Sequence, residues 1–429
     1  MTTTQKQGGN IIGIVTMIFL FGMISFVTNL AAPIGVIWKN TPGFENLGSL
    51  GNLMNFLAYL FMGIPAGKLL LRIGYKKTAL AAIAVGLVGI FVQFLSGKTG
   101  DVGVYVYLAG AFIAGISVCL LNTVVNPMLN LLGGGGNKGN QLIQTGGAFN
   151  SLMATITPMM VGAMIGEAAK AKITDVNPLL FIAMGVFALT FVILLFIPIT
   201  NPTQTAANVR YESSAWKFRH LVLGAVAIFC YVGVEVGIPA TLIYYLSDAS
   251  AAGAGLPAAT AAATAGAVAG LYWLLMMVGR FVGAAIGAKV SSKAMMTFTT
   301  LVAAILVLAA IFTPATVQTS MPAFTGSSFI IAQVPMSALL LVLCGICTSI
   351  MWGSIFNLAT EGLGKYTPQA SGIFMTMVVG GGVIPFLQEQ LAGTIGWMGS
   401  YWLIVAAIAY MLFYALVGSK NVNRDIKVD

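Results

Sequence analysis

The sequence predicts an all-α integral membrane protein: 12 transmembrane helices in two pseudo-symmetric six-helix bundles, with both termini cytoplasmic. Three observations carry this reading. Of 429 residues, 58% are hydrophobic and only 7% are charged. A soluble protein carries roughly a quarter of its residues as Asp, Glu, Lys or Arg, so this set cannot cover a water-facing surface of that size. The apolar residues fall in long runs with short polar breaks, and the longest cytoplasmic break, 200–219, divides the chain into near-equal halves.

Each span needs about 20 apolar residues. The first run starts at Ile11, after the short polar stretch Met1–Asn10, and reaches about Ile37. It is too long for a signal-peptide core and lacks a convincing cleavage site, so it reads as a retained first span. Spans follow over 48–71, 76–96, 104–132, 140–166 and 177–199. The break NPTQTAANVRYESSAWKFRH comes next, then spans over 220–246, 260–288, 294–314, 335–358, 369–391 and 398–417. The expected units are therefore an amino-terminal bundle (1–199), a cytoplasmic linker (200–219) and a carboxyl-terminal bundle with a short tail (220–429).

The net charge of +9 is scattered over short breaks and forms no stripe, which excludes a nucleic-acid surface. With both termini inside, the cytoplasmic side receives sixteen Lys and Arg residues and the outside only Lys39, Lys98, Lys170 and Lys172. This asymmetry fixes the orientation. Lys68 and Arg280 are counted inside because they lie within snorkelling distance of a cytoplasmic helix end. The halves share a weak repeat: Gly67–Lys77 following span two, and Gly279–Gly283, then Lys289 and Lys293, ending span eight. Parallel six-helix repeats of this kind place substrate near the midplane between them.

Enzyme chemistry finds no support. Cys119, Cys230, Cys344 and Cys347 all lie in apolar runs, and the single His220 is remote in sequence, so neither metal nor redox chemistry is expected. Gly133–Gly139 resembles a phosphate loop but lacks Ser or Thr after Lys138. No cofactor is expected. Much of the glycine, 51 residues, lies inside spans, where small residues let helices approach closely. Pro65, Pro127, Pro158, Pro239 and Pro385 also lie within spans.

An ionisable residue inside the hydrocarbon is costly and marks a functional candidate. Glu235 in span seven is the carboxylate placed nearest mid-membrane. Glu389 falls near the outer end of span eleven, where a gate or surface position is expected. Amides form the next layer: Asn29, Asn52, Asn55, Asn122, Asn126, Gln144, Asn150 and Asn357. Each amide offers donor and acceptor to a hydroxyl. Aromatic candidates are Trp38, Tyr59, Tyr231, Tyr244, Tyr272, Trp273, Trp352 and Phe356. An amide- and aromatic-rich set with almost no charge favours a neutral polyhydroxyl solute.

Several ordered stretches resemble the fucose–proton symporter family of the major facilitator superfamily. They are Phe19–Gly22 with Thr28-Asn29-Leu30; Pro65-Ala66-Gly67 with Gly74-Tyr75-Lys76-Lys77; Asn126-Pro127; Phe149–Leu152; Tyr231–Val236; and Ser349–Thr367 continuing into Gly380–Pro385. The resemblance covers nearly the whole chain. It implies the major facilitator fold and import of a neutral monosaccharide by alternating access, driven by a cation gradient. The chain departs from the family pattern at Ala32 and Asn122, where acids are usual, and at Gly147 in place of a Gln. Both amino-half carboxylates associated with proton coupling are therefore replaced. Three alternatives stay open: Glu235 carries the proton alone; sodium couples through oxygen ligands including Glu235; or the protein is an uncoupled facilitator.

The expectation is thus a monomeric, multi-pass sugar importer of the cell inner membrane, in contact with lipid. Its sugar would touch Asn29, Asn55, Asn122 and Asn126 from the amino half, and Tyr231, Glu235, Tyr272 and Asn357 from the carboxyl half. Arg72, Lys76, Lys77 and Arg280 would form a conformational latch. Export of another metabolite or drug is the rival reading, and it requires a greasier pocket.

Overall fold

The computed structural model describes residues 11–132, 136–197, 213–286, 289–423 and 426. Met1–Asn10, the glycine turn 133–135 and most of the linker, with Lys6, Arg210, Arg424 and Lys427, lie outside the described residues, as does the side chain of Lys138.

In hydrocarbon, backbone N–H and C=O groups must be satisfied within the segment itself, which selects helices. The amino half contains α1 (Ile11–Lys39), α2 (Leu50–Ser96), α3 (Gly103–Leu132), α4 (Gly136–Ile165) and α5 (Asn177–Phe196). The carboxyl half contains α6 (Arg219–Ser247), α7 (Ala258–Ile286), α8 (Ser292–Phe312), α9 (Met336–Thr348), α10 (Met351–Thr360), α11 (Thr367–Met377), α12 (Gly380–Ser400) and α13 (Trp402–Phe413). Among the described residues, ten helical stretches are long and apolar enough to cross a membrane, and the shorter apolar stretch Trp402–Gly418 follows them.

Two of the continuous stretches contain sharp breaks. At 47 residues, α2 exceeds one crossing, and it breaks at Gly74 with φ 81° and ψ 171°. Only glycine adopts that backbone without strain. Lys76 Nζ donates to the carbonyls of Leu195 and Ile197, both at 2.8 Å, and ties the break to the end of α5. In α12 the equivalent break is Gly396, with φ 78° and ψ 164°.

One element was not expected. Between α8 and α9 the chain forms an antiparallel hairpin of β1 (Gln318–Phe324) and β2 (Phe329–Pro335), with Gln318 opposite Pro335 and Phe324 opposite Phe329. Met321, Ala323 and Val334 turn inward, whereas Ser320 and Gln333 are exposed and joined by a 2.8 Å hydrogen bond.

The helices share two ends. The terminal face carries Ile11, the Gly74 break and Arg219. The far face carries Lys39, Ser49, Ser247 and the hairpin. The seam between halves runs along α4 and α7, with α2 against α11 and α12, and α1 against α6. At Gly162 and Gly266 the two helices approach so closely that a Cβ on Gly266 would collide with the carbonyl oxygen of Pro158. Helices α5 and α8 lie at the periphery and expose Phe181, Leu189, Phe196, Phe298 and Ile305. An apolar belt of this kind matches lipid rather than water.

Candidate functional site

A narrow void of about 20 Å³ lies on the seam between the halves. The amino half supplies Thr28, Asn29, Ala32, Asn52 and Pro158; the carboxyl half supplies Val236, Pro239, Ala240, Ile243 and Trp273. None of the lining side chains is ionisable. Asn29 Nδ2 donates to the Ser25 carbonyl at 2.9 Å and to its hydroxyl at 3.2 Å. Asn52 Nδ2 donates across the seam to the Gly381 carbonyl at 2.7 Å. The Trp273 ring stands at 89° to that of Tyr272, 5.3 Å away. Proline at 158 and 239 removes a backbone donor from each helix beside the void.

One helical turn toward the terminal face from Pro239 lies Glu235. Tyr231 Oη donates to Glu235 Oε1 at 2.9 Å, and Arg280 Nη2 lies 3.7 Å from the same oxygen. Arg280 Nη1 reaches across the seam and donates to the Gly147 carbonyl and the Ser151 hydroxyl, both at 2.9 Å. Trp352 packs on Tyr231, with ring centroids 6.1 Å apart.

A second acid–base group lies on the far side of the void. The Glu389 side chain, 1% exposed, accepts from Gly48 N at 3.0 Å, Ser49 N at 2.8 Å and Ser49 Oγ at 2.5 Å. The first N–H groups of a helix have no partner within it. Ser49 stands at the start of α2 without a side-chain cap of its own, and the carboxylate from α12 in the other half takes that place. Lys39 Nζ lies 3.7 Å from Glu389 and 4.2 Å above the Trp397 ring. Trp397 Nε1 donates to Asp248 Oδ2 at 2.8 Å. Burial would raise the Asp248 carboxyl, but hydrogen bonds from Trp397 and Ser250 and the charge of Lys39 hold it below its ordinary value.

Of the residues expected to contact solute, Asn29 lines the void and Tyr231 and Glu235 sit just below it. The others are placed differently. Asn55 is buried where α2 meets α3, its backbone against Gly115. Asn122 Nδ2 donates to Tyr59 Oη at 2.6 Å, and Asn126 is half-buried one turn further along α3. Tyr272 is fully buried and bonds Thr348 Oγ1 at 2.9 Å. Asn357 is exposed near the terminal face, 3.4 Å from Ser292 Oγ, and is not in the lining. The expected latch is also divided. Lys76 bonds within its own half, Arg72 and Lys77 are exposed, and Arg280 lies on the seam beside Glu235 rather than at a cytoplasmic turn.

The Major Facilitator Superfamily profile matches residues 14–385. The chain belongs to the Major Facilitator Superfamily. A glucose/galactose transporter of Brucella abortus is 32% identical over 98% of this chain and 97% of its own. The L-fucose-proton symporter of Escherichia coli is 21% identical over 83% of this chain and 81% of its own. A crystal structure of the Escherichia coli fucose:proton symporter FucP superposes with a TM-score of 0.67, at 18% identity, over 96% of this chain and all of that one.

Within this Major Facilitator Superfamily fold, sequence reasoning ranked Asn52 and Trp273 only among general polar and aromatic positions. It gave no role to Ser151 or Lys39. Their partners lie on other helices, Lys39 with Glu389 and Ser151 with Arg280, so no local spacing could reveal them. A signal did exist for Asn52, which with Asn55 makes two amides within one apolar run.

Proposed function

We propose that this protein imports a neutral hexose or similar small sugar across the cell inner membrane by alternating access, as a cation-coupled symporter. The superfamily and its relatives are transporters rather than enzymes, and the relatives' sugars agree with the chemistry of the void. One observation carries the reading. The space shared by both halves has amides at Asn29 and Asn52, an indole face at Trp273 and no ionisable side chain. Amides match sugar hydroxyls, and an indole covers the apolar face of a pyranose.

Breaks at Gly74 and Gly396 divide the long helical stretches so that the chain counts twelve crossings, six on each side of the linker at 200–219. The Lys and Arg asymmetry then puts both termini and the terminal face in the cytoplasm. The far-face contacts of Glu389 close the outer side, so the void opens by separation of the halves at one face in turn. Glu235 is the coupling acid, and its cation is a proton or sodium. The carrier works as a monomer, since each chain encloses its own void.

The test is uptake of labelled D-glucose, D-galactose and L-fucose into proteoliposomes, with pH and sodium gradients imposed separately. Saturable exchange of one of these sugars, with competition by the others, is the expected result. Transport of amphipathic cations with no sugar exchange would overturn the reading.

A further inference from the structure

Arg280 is the cation of the seam that the sugar reading leaves without a task. Its guanidinium does two things at once. Nη2 faces the Glu235 carboxylate at 3.7 Å within the carboxyl half, and Nη1 holds two oxygens of α4 in the amino half. Spacing along the helices puts this group directly below the void. Arg280 lies seven residues from Trp273 on α7 and Ser151 seven from Pro158 on α4, two turns toward the terminal face in both cases. The titratable groups facing Glu235 are Tyr231 on its own helix and Arg280 and Tyr272 on α7. The parts of α4 and α10 nearby present Gly147, Ser151 and Trp352, which do not titrate in the physiological range.

We propose that Arg280 is the coupling residue: its guanidinium is the tethered cation that neutralises Glu235 whenever the transported cation is absent, and it clasps α4 of the opposite half at the same time. The proposal rests on the reading above of a cation-coupled sugar importer. A carboxylate in hydrocarbon is unfavourable without a counter-charge. When a proton or sodium ion occupies Glu235, Arg280 loses its ionic partner, and its hold on Gly147 and Ser151 weakens. Cation entry and loosening of the floor are then one event. When the cation leaves, Arg280 returns and the empty carrier can reorient with no net charge at the site. Exchange of sugar needs only the loaded form, whereas net accumulation needs the cation to be released.

The experiment compares wild type, Arg280→Gln, Arg280→Lys, Glu235→Gln and the double Arg280→Gln/Glu235→Gln variant in proteoliposomes. Each is assayed with labelled D-glucose for counterflow and for gradient-driven accumulation, with pH and sodium arms separate. Arg280→Gln is expected to keep counterflow within about threefold while accumulation falls about tenfold, within the usual range of coupling between sites. Arg280→Lys restores part of the accumulation. The double variant is no worse than Glu235→Gln, because both substitutions remove one interaction. The arm in which wild type accumulates sugar identifies the cation. Wild-type accumulation by Arg280→Gln overturns the proposal, as does equal loss of counterflow and accumulation in both Arg280 variants. A wild type that exchanges sugar but never concentrates it also overturns the proposal and leaves sugar transport intact. A wild type that exchanges no sugar overturns the transport reading, and this proposal with it.

Discussion

Ser49 and Glu389, on opposite halves of the molecule, are joined by two hydrogen bonds, from the backbone N–H at 2.8 Å and the hydroxyl at 2.5 Å. The carboxylate belongs to α12, yet it caps the start of α2. Opening of the far face must therefore uncap a helix as well as separate the surfaces of the halves.

Glu389→Gln should release that face. Hydrogen bonds to a charged group contribute about 1.5–3 kcal/mol, so the open population should rise about tenfold or more. Ala240→Cys, at the void, in a background lacking Cys119, Cys230, Cys344 and Cys347, reports the change. Labelling by an impermeant thiol reagent from outside should accelerate. An unchanged rate would mean that the contact does not hold the gate.

Asn52→Ala should weaken sugar binding about threefold to tenfold, the value of one or two neutral hydrogen bonds. Trp273→Phe should stay within about threefold, whereas Trp273→Ala should lose about tenfold as the stacking face goes. Calorimetric titration of purified protein with D-glucose or D-galactose measures all three. Wild-type affinity in both alanine variants would place the sugar elsewhere.

Closure of the far face should not depend on pH through Asp248 until the solution is acidic. Its carboxyl lies below the ordinary value of 3.8, so its contribution is complete above that value and is lost as pH falls through the lowered one. The Ala240→Cys labelling rate should therefore show no change from this group between about pH 5 and 8. Asp248→Asn should raise the rate at every pH in that window. A wild-type rate that climbs steadily from pH 8 to 5, and is flat in Asp248→Asn, would contradict this.

Gly266→Val should impair folding or turnover more than its apolar character implies. The added carbons meet the Pro158 carbonyl on α4. Overpacking of this kind costs about 1–3 kcal/mol. Thermal unfolding in detergent should shift downward, while Gly353→Ala, where a Cβ meets open space, should not.

The crossings were legible because lipid imposes length and apolarity on each of them. The gap between the apolar runs 48–71 and 76–96 falls at Gly74, where the backbone breaks. The void was legible only in its chemistry. Asn29 lines it, whereas Asn357 stands near the terminal face, because sequence gives depth along a helix only to within a few residues. Arg280 reads as a helix-end cation on the same grounds. Its pairing with Glu235 depends on how α6 and α7 are rotated, which apolar periodicity cannot fix when helices are buried on most sides. The hairpin does leave a trace. The turn residues Thr325-Gly326-Ser327-Ser328 separate two seven-residue segments, Gln318–Phe324 and Phe329–Pro335, each too short to cross a membrane.

The two acid–base pairs, Glu235 with Arg280 and Glu389 with Lys39, each sum to zero charge. A rearrangement that carries them through the electric field of an energised membrane therefore moves no net current. Voltage, at about 2.3 kcal/mol per charge per 100 mV, has no purchase on these pairs. In the cation-coupled cycle proposed above it would act on the step that adds a cation, so the resting potential would drive the inward limb and leave the return limb to thermal motion.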